Sequence, residues 1–215
     1  MDFIFPKKGI LSIWGDYGVG KTTLSIQKAL NFAYDNKKSI YIYTKMNLPF
    51  EKIKNLLQKS TSNHLDNIIF IKSLHFEALY SLVFDLEFII LKNPKKFHLI
   101  IIDSITDLYR LELDRESKEK NFLFNYKLSQ ILANLYYLNE NYGINIIVIN
   151  NISNINQNGQ TIEVQSGGRV MDYWVNTSIK IERTDKLNCR RFIFREKDNE
   201  KVFETLVNLT ENGFI

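Results

Sequence analysis

A single cysteine, Cys189, in 215 residues excludes an internal disulfide framework and suits a reducing compartment. Long apolar runs are missing too: Leu99–Ile102 is typical, far short of the ~20 residues that cross a bilayer. Met1-Asp2-Phe3-Ile4-Phe5-Pro6-Lys7-Lys8 has neither the charge order nor the length of a signal peptide, so a soluble, cytoplasmic chain without a membrane partner is expected. With only 3 prolines and 9 glycines there is no Pro/Gly-rich linker, and neither repeats nor low-complexity tracts interrupt the chain. One domain over residues 1–215 is expected. The 3 histidines, His64, His75 and His98, share no metal-ligand spacing with Cys189 and read as structural. Charge of one sign is also modest. Lys and Arg number 28 against 24 Asp and Glu, a net +4, which permits a nucleic-acid partner without requiring one.

Three of the 9 glycines fall close together in one stretch, Gly15-Asp16-Tyr17-Gly18-Val19-Gly20-Lys21-Thr22-Thr23. An apolar run, Ile10 to Trp14, enters it, and a helix-compatible segment, Leu24 to Tyr34, leaves it. This is the P-loop pattern in its strand-to-helix context. Its glycines let backbone N–H groups and a helix N-terminus face phosphate oxygens. Lys21 would reach the β- and γ-phosphates, and Thr22 would offer its hydroxyl to Mg²⁺. The pattern implies a bound nucleoside triphosphate.

Further along, Ser39–Thr44, Asn67–Lys72, Phe97–Asp103 and Ile144–Ile149 read as strands. Helical patterns run from Pro49, over His75–Lys92 and over Asn121–Tyr142, the last ending at Gly143. Ser153–Gly168, polar and amide-rich, reads as a loop, and Thr177–Glu182, Arg190–Arg195 and Val202–Val207 as an antiparallel meander. Alternating strands and helices predict an α/β fold, a doubly wound, mainly parallel sheet. In Leu99-Ile100-Ile101-Ile102-Asp103-Ser104 a buried strand delivers Asp103 to its carboxyl end, where ligands bind in such sheets and where an acid completes a Mg²⁺ shell with Thr22.

Leu99–Arg110 resembles the Asp-Ser segment of RecA-type recombinases, especially the archaeal RadA and eukaryotic branch. The resemblance continues through Glu140-Asn141-Tyr142-Gly143, Asn150-Asn151-Ile152, Gly167-Gly168 and Gly213-Phe214. It implies a RecA-like P-loop NTPase core using ATP and Mg²⁺. The 215 residues show no counterpart of the recombinases' N-terminal DNA-binding domain and no clear Phe-x-x-Ala segment ahead of the core. The chain is therefore similar to the short archaeal RadA paralogues (RadB-like forms), expected to be a monomer or small oligomer rather than a filament. The function so implied is assistance to homologous recombination and DNA repair, with single-stranded DNA and a RadA-type recombinase as partners. By position, Asn151 stands where the family has a γ-phosphate-sensing glutamine, and Lys52 where an arginine stacks on adenine. Arg115, Lys118 and Lys120 fall in the first DNA-binding loop, and Asn156, Gln157 and Asn158, followed by Arg169, in the second.

Departures from the family pattern bear on turnover. Thr44-Lys45 stands where the family carries Thr-Glu, whose glutamate polarises the attacking water. A protonated lysine cannot do that, though it could bind a phosphate electrostatically, so slow or absent hydrolysis is expected unless another acid such as Glu51 substitutes. Lys118 and Lys120 alternate with Glu116 and Glu119, which also fits a solvated loop. Arg191 and Arg195 share a strand face, either a phosphate-tracking stripe or a charged sheet edge. Two other functions stay open: a KaiC-like regulatory ATPase, and a modulator that docks on RadA without touching DNA.

Overall fold

The computed structural model describes residues 8–57, 64–93, 97–114, 116–157, 159–197 and 199–215. Arg115 and Asn158 lie outside the described residues. In chain order the first elements are β1 (Ile10–Gly15), α1 (Lys21–Tyr34), β2 (Lys38–Tyr43), α2 (Phe50–Leu57), β3 (Ile68–Lys72), α3 (Phe76–Lys92), β4 (Phe97–Asp103) and α4 (Asp107–Glu112). They are followed by α5 (Lys118–Tyr142), β5 (Asn145–Gln157), β6 (Gln160–Gln165), α6 (Gly168–Trp174), β7 (Val175–Arg183), β8 (Cys189–Glu196), β9 (Asn199–Thr210) and β10 (Gly213–Phe214).

The strands order as β10-β9-β8-β7-β1-β5-β4-β2-β3. From β3 to β7 all neighbours are parallel, and from β7 to β10 all are antiparallel. This is the mainly parallel, RecA-like sheet with a C-terminal meander that the sequence implies. The near-continuous apolar strands follow from burial on both faces. Alternate residues serve the two faces. Ile40, Ile42, Ile100, Ile102, Ile146 and Val148 pack with α3 and α5, whereas Tyr41, Leu99, Ile101, Ile147 and Ile149 pack with α1 and α2. No helix among the described residues is long and apolar enough to cross a membrane.

Two expectations change. The Ser153–Gly168 loop is mostly a β-hairpin: β5 runs on beyond the sheet and pairs antiparallel with β6 from Ile152↔Gln165 to Gln157↔Gln160. Backbone pairing, with Ile155 opposite Ile162, orders a stretch whose side chains are mainly polar. Asn158-Gly159, a strong hairpin dipeptide, is the signal that betrays it in the sequence. The second change is at α5. It starts at Lys118, because the Ser117 hydroxyl caps it by accepting from the Lys120 N–H at 3.3 Å. Lys118 and Lys120 thus belong to a first helical turn, not to a loop.

The C-terminus closes on the first helix. Phe214, 2% exposed, bonds through its N–H and C=O to the Gln27 side chain at 2.9 Å each, and its ring meets Phe192 edge-on at 5.0 Å. A Cβ on Gly20 would lie 2.6 Å from that ring, so the end of the chain buttresses the glycine loop.

Candidate functional site

The carboxyl ends of β1, β2 and β4 meet Ile149 and Asn151, midway along β5, at a cleft of about 530 Å³. Gly15, Gly18 and Gly20 turn the loop with φ of 149°, 76° and 109°, angles that disfavour any other residue. At Gly15 a side chain is excluded outright, since its Cβ would stand 2.3 Å from the Ile181 carbonyl oxygen. α1 begins at Lys21, whose ammonium donates to the Gly15 and Asp16 carbonyls at 2.8 Å each. Burial, and then the charge on Lys45, hold the Lys21 pKa below the usual lysine value. From outside the loop, Arg183 donates to the Tyr17 carbonyl at 2.7 Å and meets the Asp16 carboxylate at 3.3 Å. Tyr17, Gly18, Gly20, Lys21, Thr22 and Thr23 line the cleft, while Gly15 and Asp16 shape the loop and Val19 is buried in the core.

Asp103 ends β4, 2% exposed, with its carboxylate at the cleft. Its Oδ2 accepts from the Thr22 hydroxyl at 2.7 Å and from the Tyr41 hydroxyl at 2.9 Å. Tyr41 in turn shares a hydrogen bond with Ser25 at 2.8 Å. Burial and the Asp103 charge raise the Tyr41 pKa well above its ordinary value, so this phenol stays a donor. Asp103 Oδ1 has no hydrogen-bond partner and lies 3.9 Å from Lys45 Nζ. Thr44 fixes the approach of Lys45. Its N–H donates to the Asp103 carbonyl at 2.9 Å, and its hydroxyl accepts from the Ser104 N–H at 2.9 Å and donates to the Ser104 carbonyl at 3.2 Å. The intervening Asp103–Ser104 peptide is cis.

Asn151 lies beside the loop in the β1–β5 register, opposite Gly15, and its side-chain amide donates to the Asp107 carboxylate. Its carbonyl accepts from the Ser166 N–H at 2.9 Å, just beyond the β5–β6 hairpin. One residue thereby touches both cleft and hairpin. Lys52, on α2, lines the cleft with Asn55 and Leu56, and Leu209, Thr210 and Glu211 enter from the C-terminal strands. Among the described residues, the acids lining it are Asp103, Asp107 and Glu211, and Glu51 is not one of them.

The nucleotide candidates thus come together, and the DNA candidates spread over four elements. Lys118 and Lys120 open α5, Asn156 and Gln157 sit near the tip of the hairpin, and Arg169 is in the first turn of α6. Arg191 and Arg195 do share a face of β8, but acids are interleaved with them: Glu182 lies 4.0 Å from Arg191, and Glu163 and Asp172 line a second cavity with Arg195. Sequence reasoning missed Tyr41, Ser25, Thr44, Asp107 and Arg183. Tyr41 looks like any strand-forming aromatic, and only the three-dimensional register brings its hydroxyl to Asp103.

The Rad51 family model matches residues 5–213 of the chain. The "DNA repair and recombination protein RadB" of Methanococcus maripaludis strain C7 is 34% identical over 208 residues, 96% of this chain and 91% of that protein. The protein of the same name from Methanocaldococcus jannaschii is 32% identical over 192 residues, covering 89% of this chain and 85% of its own. That of Methanobrevibacter smithii is 26% identical over 185 residues, 86% and 77% of the two chains.

Proposed function

The chain belongs to the Rad51 family, and on that premise we propose that it is an ATP- and DNA-binding accessory protein of recombinational repair that turns ATP over slowly. The observation that carries this is the convergence of Lys21, Thr22, Asp103 and Asn151 on one cleft whose strand β5 continues into the hairpin. The loop amides and Lys21 bind the triphosphate. Lys21 would leave the Gly15 and Asp16 carbonyls for phosphate oxygens, a move within one side chain's reach. Thr22 Oγ1 and Asp103 would hold Mg²⁺, and the buried Asp103 Oδ1 without a hydrogen-bond partner fits that role. When bound, the ion would neutralise charge on the phosphates.

Lys45 in place of an acid supports slow hydrolysis, because an ammonium has no lone pair to accept a proton from water. ATP then acts chiefly as a ligand that reports to the hairpin through Asn151. The printed names of the RadB relatives support the recombination role, and the exposed amides of the hairpin suit single-stranded DNA. A cytoplasmic location and contact with a RadA-type recombinase complete the reading.

Equilibrium ATP binding and steady-state turnover test it. ATP should bind, Lys21→Ala should weaken binding more than about tenfold, and turnover should fall well below that of a typical family member that keeps the glutamate. Turnover at the rate of a typical family member would overturn the assignment of Lys45, and binding unaffected by Lys21→Ala would overturn the site.

A further inference from the structure

The two oxygens of the Asp103 carboxylate are treated differently. Oδ2 receives two hydroxyl protons, from Thr22 at 2.7 Å and Tyr41 at 2.9 Å. Oδ1 receives none, and the charge it faces is the ammonium of Lys45 at 3.9 Å. A carboxylate oxygen buried without a donor is costly unless a cation stands near it. Lys45 supplies one from within the chain. Its backbone is not free to wander, because Thr44 is tied at three points to the Asp103–Ser104 backbone.

The ammonium also borders the space a triphosphate would fill. Lys45 lines the cleft beside Lys21, Thr22 and Asp103, and its side chain is half exposed, open to the cleft. Two ammonium groups on one cleft repel each other, and anionic oxygens between them would relieve that repulsion. A Mg²⁺ ion needs oxygen ligands at ~2.0–2.1 Å and keeps several waters. The Lys45 ammonium, 3.9 Å from Asp103 Oδ1, already faces the carboxylate that would hold such an ion. Ion and lysine therefore compete for one carboxylate oxygen, and the lysine is always present.

We propose that Lys45 is a tethered counter-ion for the triphosphate, so that this cleft binds ATP with little need of a divalent metal. The inference rests on the nucleotide reading of the cleft. It assigns Lys45 as a binding residue toward phosphate, complementary to its inability to act as a base.

The test is ATP binding by isothermal titration calorimetry, with Mg²⁺ or with EDTA, for the wild type, Lys45→Met and Lys45→Arg. Melting curves first establish that each variant is folded. The wild-type Kd should change less than about threefold on removing the metal, whereas Lys45→Met should become metal-dependent by about tenfold or more. Lys45→Arg, which keeps the charge, should behave as the wild type. Binding by the wild type that needs Mg²⁺, or a Lys45→Met variant indifferent to EDTA, overturns this inference and leaves the nucleotide site standing. Absence of ATP binding in every condition overturns both.

Discussion

Replacing Tyr41 by Phe removes one oxygen from a wholly buried position and keeps the ring. Tyr41 is 0% exposed, and its ring packs at 5.6 Å from that of Phe70, a contact Phe preserves. What is lost is the hydroxyl donated to Asp103 Oδ2 at 2.9 Å and shared with Ser25 at 2.8 Å. Hydrogen bonds to charged groups contribute about 1.5–3 kcal/mol, and here Thr22 still serves the carboxylate, so a loss of about 2 kcal/mol is expected. For a chain of this size that lowers Tm by roughly 4–8 °C. The effect has a pH signature. The folded-state pKa of Tyr41 is raised, by burial first and then by Asp103, whereas the unfolded phenol titrates near its ordinary value of 10.0. The phenol's contribution is therefore complete below about pH 10 and is lost as pH climbs from there toward the folded pKa. The Phe variant has no such proton, so the stability gap between the two proteins should narrow above about pH 10. Urea unfolding followed by far-UV circular dichroism, at about pH 7 and pH 10.5, reads both quantities. A gap under about 0.5 kcal/mol at neutral pH, or one that does not narrow at pH 10.5, would refute the role given to this hydroxyl.

Phe214→Ala should cost about 3–5 kcal/mol in urea unfolding, since the ring is buried against Phe192 and Gly20; a change below about 1 kcal/mol would show that the C-terminus does not buttress the loop. Gly20→Ala places a Cβ 2.6 Å from the Phe214 ring on a residue with φ of 109°. It should destabilise by about 1–3 kcal/mol and weaken ATP binding, and a stable variant with unchanged affinity would count against the loop geometry.

How far the chain could be read in advance varies with what its residues encode locally. β1, α1 and β4 stand where the apolar runs place them, because central parallel strands buried on both faces leave continuous hydrophobic segments in the sequence. Gly143 ends α5 at φ 63° as its type suggests, donating its N–H to the Asn139 carbonyl. The hairpin of β5 and β6 was hidden because much of it is exposed, so it carries little of the apolar alternation by which strands are recognised. α4 and α6, with 6 and 7 residues, are too short to show a helical period. At the site, Lys21, Thr22 and Asp103 were legible because the P-loop spacing and the end of a buried strand locate them. Tyr41, Thr44 and Arg183 act through contacts between segments far apart in sequence, from Thr44 with Ser104 to Arg183 with Tyr17, and no local pattern announces them.

The DNA candidates illustrate the same division. Arg191 and Arg195 alternate on β8, and pairing with β7 brings both Lys180 and Glu182 to the same face, where Glu182 lies 2.5 Å from Lys180 and 4.0 Å from Arg191. The stripe is a mixture of acids and bases in space. On the proposed reading, the hairpin, whose Asn156 and Gln157 are exposed and which begins next to Asn151, is the surface expected to meet a single strand.

The most direct test is fluorescence anisotropy of a labelled single-stranded oligonucleotide at two salt concentrations, without nucleotide and with ATP–Mg²⁺, for the wild type and Asn151→Ala. Expected is salt-sensitive binding, with log K falling by about 0.7 per log unit of salt for each phosphate neutralised, and an affinity that ATP shifts in the wild type but not in Asn151→Ala. Absent binding, or an ATP shift that survives the loss of the Asn151 amide, would contradict it.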